Sequence, residues 1–171
     1  MISIKTATIH DATFISLLGR ITFGEAFGHL FRDKNNLLEY YNRTFSVSKI
    51  QNSLGISSNK FWIAFVDDLP VGYAKLKLYS SSDFIDSKNV CQLQKIYVLN
   101  DFLSMKIGSQ MQNMLLNEAQ NLGFEKIWLS VWDGNKKAIR FYERNDFVNI
   151  GTHNFQIGKE GFNYFAMSKI L

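Results

Sequence analysis

The stretch VCQLQKIYVLNDFLSMKIGSQMQNMLLNEAQNLGFEKIWLSVW, Val90 to Trp132, decides the fold. It begins with a nine-residue run, Val90 to Val98, in which Val90, Gln92, Gln94, Ile96 and Val98 share one side of a two-residue period and Cys91, Leu93, Lys95 and Tyr97 the other. Both sides can be covered, so the run is predicted as a central strand. Ile107, Met111, Met114, Leu115, Leu116, Ala119 and Leu122 then recur at helical spacing, and Gly123 supplies the stop. KIWLSVW, Lys126 to Trp132, returns to strand. A strand, helix and strand of this length form a right-handed crossover that makes the two strands parallel neighbours.

Between the first strand and the helix lies LSMKIGSQM, Leu103 to Met111. A helix start exposes backbone N–H groups, and the macrodipole adds about half a positive charge there, so such a terminus binds phosphate without any particular side chain. Gly108 lets a ligand approach closely, Lys106 adds a cation and Ser109 a hydroxyl. Every crossover has a turn at this place, so the loop alone is a weak signal. The patterns GxxxxGK[ST] and GxGxxG are both absent, which removes the main evidence for nucleotide hydrolysis and for dinucleotide binding.

Working outward, Ile2 to Ala7 alternates as a short strand, and Asp11 caps a helix carrying Phe14, Ile15, Leu17, Leu18 and Ile21. A second helix is expected from Asn35 to Phe45 and a third from Ser48 to Leu54. KFWIAFV, Lys60 to Val66, and VGYAKLKLY, Val71 to Tyr79, flank the turn DDLP as a hairpin. Downstream, Asn135 opens a helix bearing Ala138, Ile139, Phe141 and Tyr142, and the tail gives two strands around GKEG. The fold class is α/β: a mixed, mostly antiparallel central sheet flanked by helices, with a strand-loop-helix-strand unit at its centre. With one proline and no low-complexity tract, residues 1–171 are expected to form a single domain.

The 19 Lys and Arg exceed the 15 Asp and Glu by only four, and they are spread along the chain, so nucleic acid is not an expected partner. Cys91 is alone, which excludes an internal disulfide, and no CxxC or HExxH spacing offers a metal site. No segment approaches the roughly 20 apolar residues of a membrane helix, and the N-terminus has no signal-like apolar core. A cytoplasmic protein without a membrane partner is expected.

LQKIYV, the loop at 103–109 and WLSVWDGNKKAIRFYERNDF together resemble the GNAT superfamily of N-acetyltransferases, whose signature is a strand, a loop of pattern Gln/Arg-x-x-Gly-x-Gly/Ala, a helix, a strand and an NxxAxxFYxxxGF segment. ITFGEAF, PVGYAKL and NIGTHNFQIG extend the resemblance across nearly the whole chain, toward bacterial PaiA-type spermidine/spermine acetyltransferases. The resemblance implies a GNAT-like sheet and acetyl-CoA as cofactor. Its diphosphate would be held by the main chain of Ser104, Met105, Lys106, Ile107, Gly108 and Ser109. The pantetheine arm would lie along Ile96, Tyr97 and Val98, with Asn135 and Ala138 beside it. Tyr142 would be the general acid for the leaving thiolate. Leu103 stands where the family has Gln or Arg, and Lys106 where it has the first glycine, so Lys106 must take a conformation that glycine finds easier.

Amine acetylation also needs a base, because an aliphatic amine is mostly protonated near neutral pH. The resemblance places acids on the strand before the loop, where this chain has Gln92 and Gln94. Water positioned by Gln94 and Tyr97, or the carboxylate of Glu25, would have to serve. His10, His29 and His153 show no triad-like spacing, so direct transfer is expected rather than an acyl-enzyme. In the resembled fold the first helices wall the acceptor side, where Phe23 and Phe27 could stack an alkyl chain and Glu25 could pair with an ammonium. The expected partner is a small-molecule amine, with a polyamine suggested. A protein or peptide acceptor, or a cofactor-binding module without turnover, are the competing readings, and the resemblance also allows a homodimer.

Overall fold

The structure is a computed structural model that describes residues 1–171. Seven strands form one sheet in the order β1-β2-β3-β4-β5-β7-β6. They are β1 (Ile2–Thr6), β2 (Asn59–Val66), β3 (Leu69–Lys77), β4 (Val90–Val98), β5 (Lys126–Trp132), β6 (Val148–Ile157) and β7 (Glu160–Ile170). Only β4 and β5 are parallel; every other pair is antiparallel. The helices are α1 (Ala12–Phe27), α2 (Lys34–Thr44), α3 (Val47–Leu54), α4 (Ile107–Asn121) and α5 (Lys136–Glu143). The mixed, mostly antiparallel sheet expected from the sequence is present.

Boundaries follow local chemistry. Asp33 caps α2 by accepting from the Asn35 N–H at 2.9 Å, and Ser46 caps α3 through the Lys49 N–H. Gly123, at φ 79°, follows the end of α4. Strand β3 starts two residues before the expected Val71. Pro70 is tolerated inside it because the β2–β3 ladder shifts register at Ala64/Phe65, where a missing N–H costs least.

Two apolar layers sandwich the sheet. Helix α4 lays Ile107, Met111, Leu115 and Ala119 against Leu76, Leu93, Ile127 and Leu129 of the strands. On the opposite face α1 packs Ala12, Ile15 and Leu18 onto Phe61, Ile63 and Tyr73. A third cluster of Phe23, Phe27, Phe31, Tyr40 and Phe45 joins α1 to α2 and reaches Ile157.

The strict alternation expected along β4 is corrected. Lys75 pairs with Lys95 but Leu76 pairs with Leu93, so Gln94 is an extra residue, a β-bulge. The bulge reverses the side-chain phase. Cys91 and Leu93 share the α4-facing layer with Ile96 and Val98, whereas Tyr97 joins the α1 layer. Gln94 therefore does not share a continuous face with Val90 and Ile96.

Candidate active site

Strands β4 and β5 pair only at Val90↔Lys126, Cys91↔Ile127 and Gln92↔Trp128. Beyond Gln92 they part, so one edge of Leu93–Val98 and the facing edge of Leu129–Trp132 have no strand partner. Unpaired backbone groups inside a sheet cost about as much as lost hydrogen bonds, and an extended chain bearing amides is the kind of ligand that satisfies them. Ile96, Tyr97 and Val98 lie on this free edge.

At the end of β4 the chain makes a 3₁₀ turn, Asn100–Met105. Lys106 follows at φ 58°, ψ 21°, the left-handed conformation that glycine adopts more easily, and α4 begins. No side chain caps α4, so its first N–H groups are left for another acceptor. Ile107 is fully buried and pins the turn, while Ser104, Met105 and Lys106 are exposed. A Cβ placed on Gly108 would meet nothing within 4 Å, so the approach to the helix start is clear. Free donors, an open approach and the Lys106 cation fit a diphosphate. Glu25 is used differently: its Oε2 accepts the Asn100 N–H at 3.1 Å, which ties α1 to the start of this turn.

Asn135 caps α5, its Oδ1 accepting the Ala138 N–H at 3.1 Å. Its side-chain oxygen is committed there, and its amide nitrogen is not. Tyr142, about two turns on, is buried between Phe141 and Phe147 at ring distances of 5.3 and 5.6 Å. Burial raises its phenol above the ordinary value, so at neutral pH it carries a proton that it can donate. Burial likewise raises Tyr97, and the nearby phenols of Tyr40, Tyr73, Tyr164 and Tyr142 push the same way. Tyr142 belongs to the apolar cluster that α4 forms with the sheet. Burial pushes the Cys91 thiol up to about 12, which leaves too little thiolate for an acyl-enzyme route.

On the α1 side, Phe23 and Phe27 are buried with their ring centres 4.8 Å apart, and with Phe31, Phe162 and Tyr164 they line a depression too tight for water. Their rings are spent on packing. Lys95 Nζ sits 5.3 Å from the Phe45 ring centre with no carboxylate partner, and burial lowers its amine to about 8. Ser130 and His153 are in hydrogen-bond contact on the same side of the sheet. Sequence spacing did not reveal that pair, because 23 residues and a whole strand separate its members.

Comparison with known proteins bears on the family and the fold. The family model described as "Acetyltransferase (GNAT) family" matches residues 25–147. An uncharacterized N-acetyltransferase in the pepI 3′ region of Lactobacillus delbrueckii subsp. lactis is 22% identical over 154 residues, covering 90% of this chain and 88% of that protein. The thialysine N-epsilon-acetyltransferase of Caenorhabditis elegans is 27% identical over 109 residues, 61% of this chain and 66% of its own. Among solved structures, the PaiA N-acetyltransferase of Thermoplasma acidophilum in complex with coenzyme A superposes with a TM-score of 0.81 at 19% identity, covering 100% of this chain and 99% of that one.

Proposed function

The chain belongs to the acetyltransferase (GNAT) family and is an acetyl-CoA-dependent N-acetyltransferase; from that premise we propose direct transfer of the acetyl group to a primary amine of a small molecule. Acetyl-CoA supplies the activated acyl carbon and a good leaving thiolate. Backbone groups of Ile96, Tyr97 and Val98 would receive its pantetheine amides, and the main chain from Ser104 to Ser109 its diphosphate. Asn135 and Ala138 would flank the arm, and Tyr142 would donate a proton to the departing sulfur.

One observation favours a small acceptor. The segment between α1 and α2 is joined to the β6–β7 hairpin: the Arg32 N–H donates to Glu160 Oε1 at 3.0 Å, and Phe31 packs on Phe162 at 5.8 Å. Phe27 meets Trp132 at 5.9 Å below that bridge. That side is held shut by packed aromatic rings, which supports a compact amine over a peptide, whose binding needs an open trough. Phe23 and Phe27 would back the acceptor side from within their packed cluster rather than touch the acceptor, and Gln94, at the bulge, would orient water. Glu25 would reach an ammonium only by leaving Asn100.

Acetyl-CoA at 100 times its Kd should stabilise the chain by about 2.7 kcal/mol in a thermal-shift assay; no shift defeats the assignment. Thiol release is then measured with spermidine and spermine, to which the PaiA-type resemblance points, and with thialysine, lysine and peptides. Turnover of peptides alone would reverse the small-molecule reading. Tyr142→Phe should lower kcat while leaving the acetyl-CoA Kd unchanged; equal loss in both would contradict the acid role.

A further inference from the structure

Ser130 Oγ and His153 Nε2 lie 2.9 Å apart. The contact is built across three strands. Ser130 on β5 is the register partner of Ala166 on β7, Ala166 pairs in turn with Gly151 on β6, and His153 pairs with Tyr164. A methyl and a hydrogen therefore stand where larger side chains would keep the imidazole from leaning across β7. Tyr164 lies 5.8 Å from the ring at 30°, and Phe84 lies 6.5 Å from it at 40°. An imidazole that met only solvent would need no such brackets.

The pair also stands at the opening. Ser130 is two residues beyond Trp128, the last residue of β5 to pair with β4. Ile127, Leu129 and Val131 face the α4 layer, so Ser130 projects to the acceptor side. Tyr164, which packs on the His153 ring, is the register partner of Trp132 on β5, and Trp132 meets Phe27 of α1, so the pair continues into the α1-side aromatic wall.

We propose that Ser130 and His153 form the proton outlet for the acceptor amine, with His153 the base that β4 lacks at Gln92 and Gln94. This rests on the N-acetyl transfer assigned above. The acceptor arrives as R–NH3⁺. One N–H bond breaks with its electron pair staying on nitrogen; Ser130 Oγ takes that proton and passes its own to His153 Nε2. The freed pair forms the C–N bond to the acetyl carbon as the C–S bond breaks. Tyr142 protonates the departing sulfur, and the second proton shed by the amide nitrogen replaces the one Tyr142 gave. The sum is an N-acetylated amine, a free thiol and one proton, carried off by His153 to solvent. The titratable groups around the ring are Tyr164, held protonated to about 12 by burial, and the exposed Asp83 and Asp86 of the loop that carries Phe84. No carboxylate hydrogen-bonds the imidazole.

Ser130→Ala, His153→Gln and His153→Ala in the full chain test it. All three should bind acetyl-CoA with wild-type Kd by calorimetry. The wild-type kcat/KM should rise with unit slope on the acid side of its pH profile, while His153→Gln should lose that limb and fall by roughly 100- to 10,000-fold. Added imidazole should partly restore His153→Ala. By proton NMR, Ser130→Ala should move the titration of the His153 ring and leave His10 and His29 in place. A His153→Gln enzyme that keeps the wild-type pH profile, or a His153 resonance indifferent to Ser130, overturns the proposal. Wild-type protein that binds no acetyl-CoA defeats the acetyl-transfer assignment instead, and the NMR readout still decides the pair.

Discussion

Gly108→Ala should push stability and cofactor affinity in opposite directions. Gly108 is the second residue of α4, and a Cβ built there meets nothing within 4 Å, so the unliganded chain accepts the methyl without strain. Replacing glycine by alanine in a helix stabilises by about 0.5–1 kcal/mol. In a chain of this length that raises Tm by roughly 1–4 °C. The empty space over Gly108 is where a diphosphate must come to reach the first N–H groups of α4, and the methyl occupies it. A hydrogen bond to a charged group contributes about 1.5–3 kcal/mol, so the loss of one weakens binding about tenfold or more. Thermal unfolding without ligand and calorimetry with acetyl-CoA measure the two effects on one sample. Wild-type affinity in a stabilised Gly108→Ala protein would mean that the diphosphate does not lie against this helix start. A destabilised free protein would mean that the site is not open as described.

Lys106→Gly relieves a left-handed residue, worth about 1–2 kcal/mol, against the 0.5–1 kcal/mol entropic cost of glycine, so net stability should rise by about 0–1.5 kcal/mol. Acetyl-CoA affinity should change less than tenfold; a 100-fold loss would show that the ammonium, not the backbone, holds the anion. Lys95 has its amine lowered to about 8, so between pH 8 and its ordinary value the unfolded chain binds more protons and stability rises with pH. Lys95→Met should therefore stabilise the protein at pH 7 by roughly 1–2 kcal/mol after solvent screening of the half-buried amine, and the gain should shrink by about pH 9.5. Denaturant unfolding at pH 7.5 and 9.5 checks this, and a gain that grows with pH would refute the sign.

The element order was legible because it is written in local periodicity. The apolar stripe from Ile107 to Leu122 and the turn residues around Asp67 and Gly158 act within a few residues of themselves. The parallel β4–β5 pair follows from the crossover between them, and the need for a left-handed Lys106 follows from a lysine standing where the resembled pattern has glycine. Local periodicity could not show that Gln94 is an extra residue, because a bulge exists only relative to the partner strand. Its consequence, Lys95 and Tyr97 turned toward α1, was therefore hidden. Nor could it show that Glu25 caps Asn100, that Phe23 and Phe27 are consumed in packing, or that His153 leans over Ala166 to reach Ser130. Glu25 and Asn100 are 75 positions apart and Ser130 and His153 are 23 apart, and only the strand order β5-β7-β6 brings the last two side chains to one face.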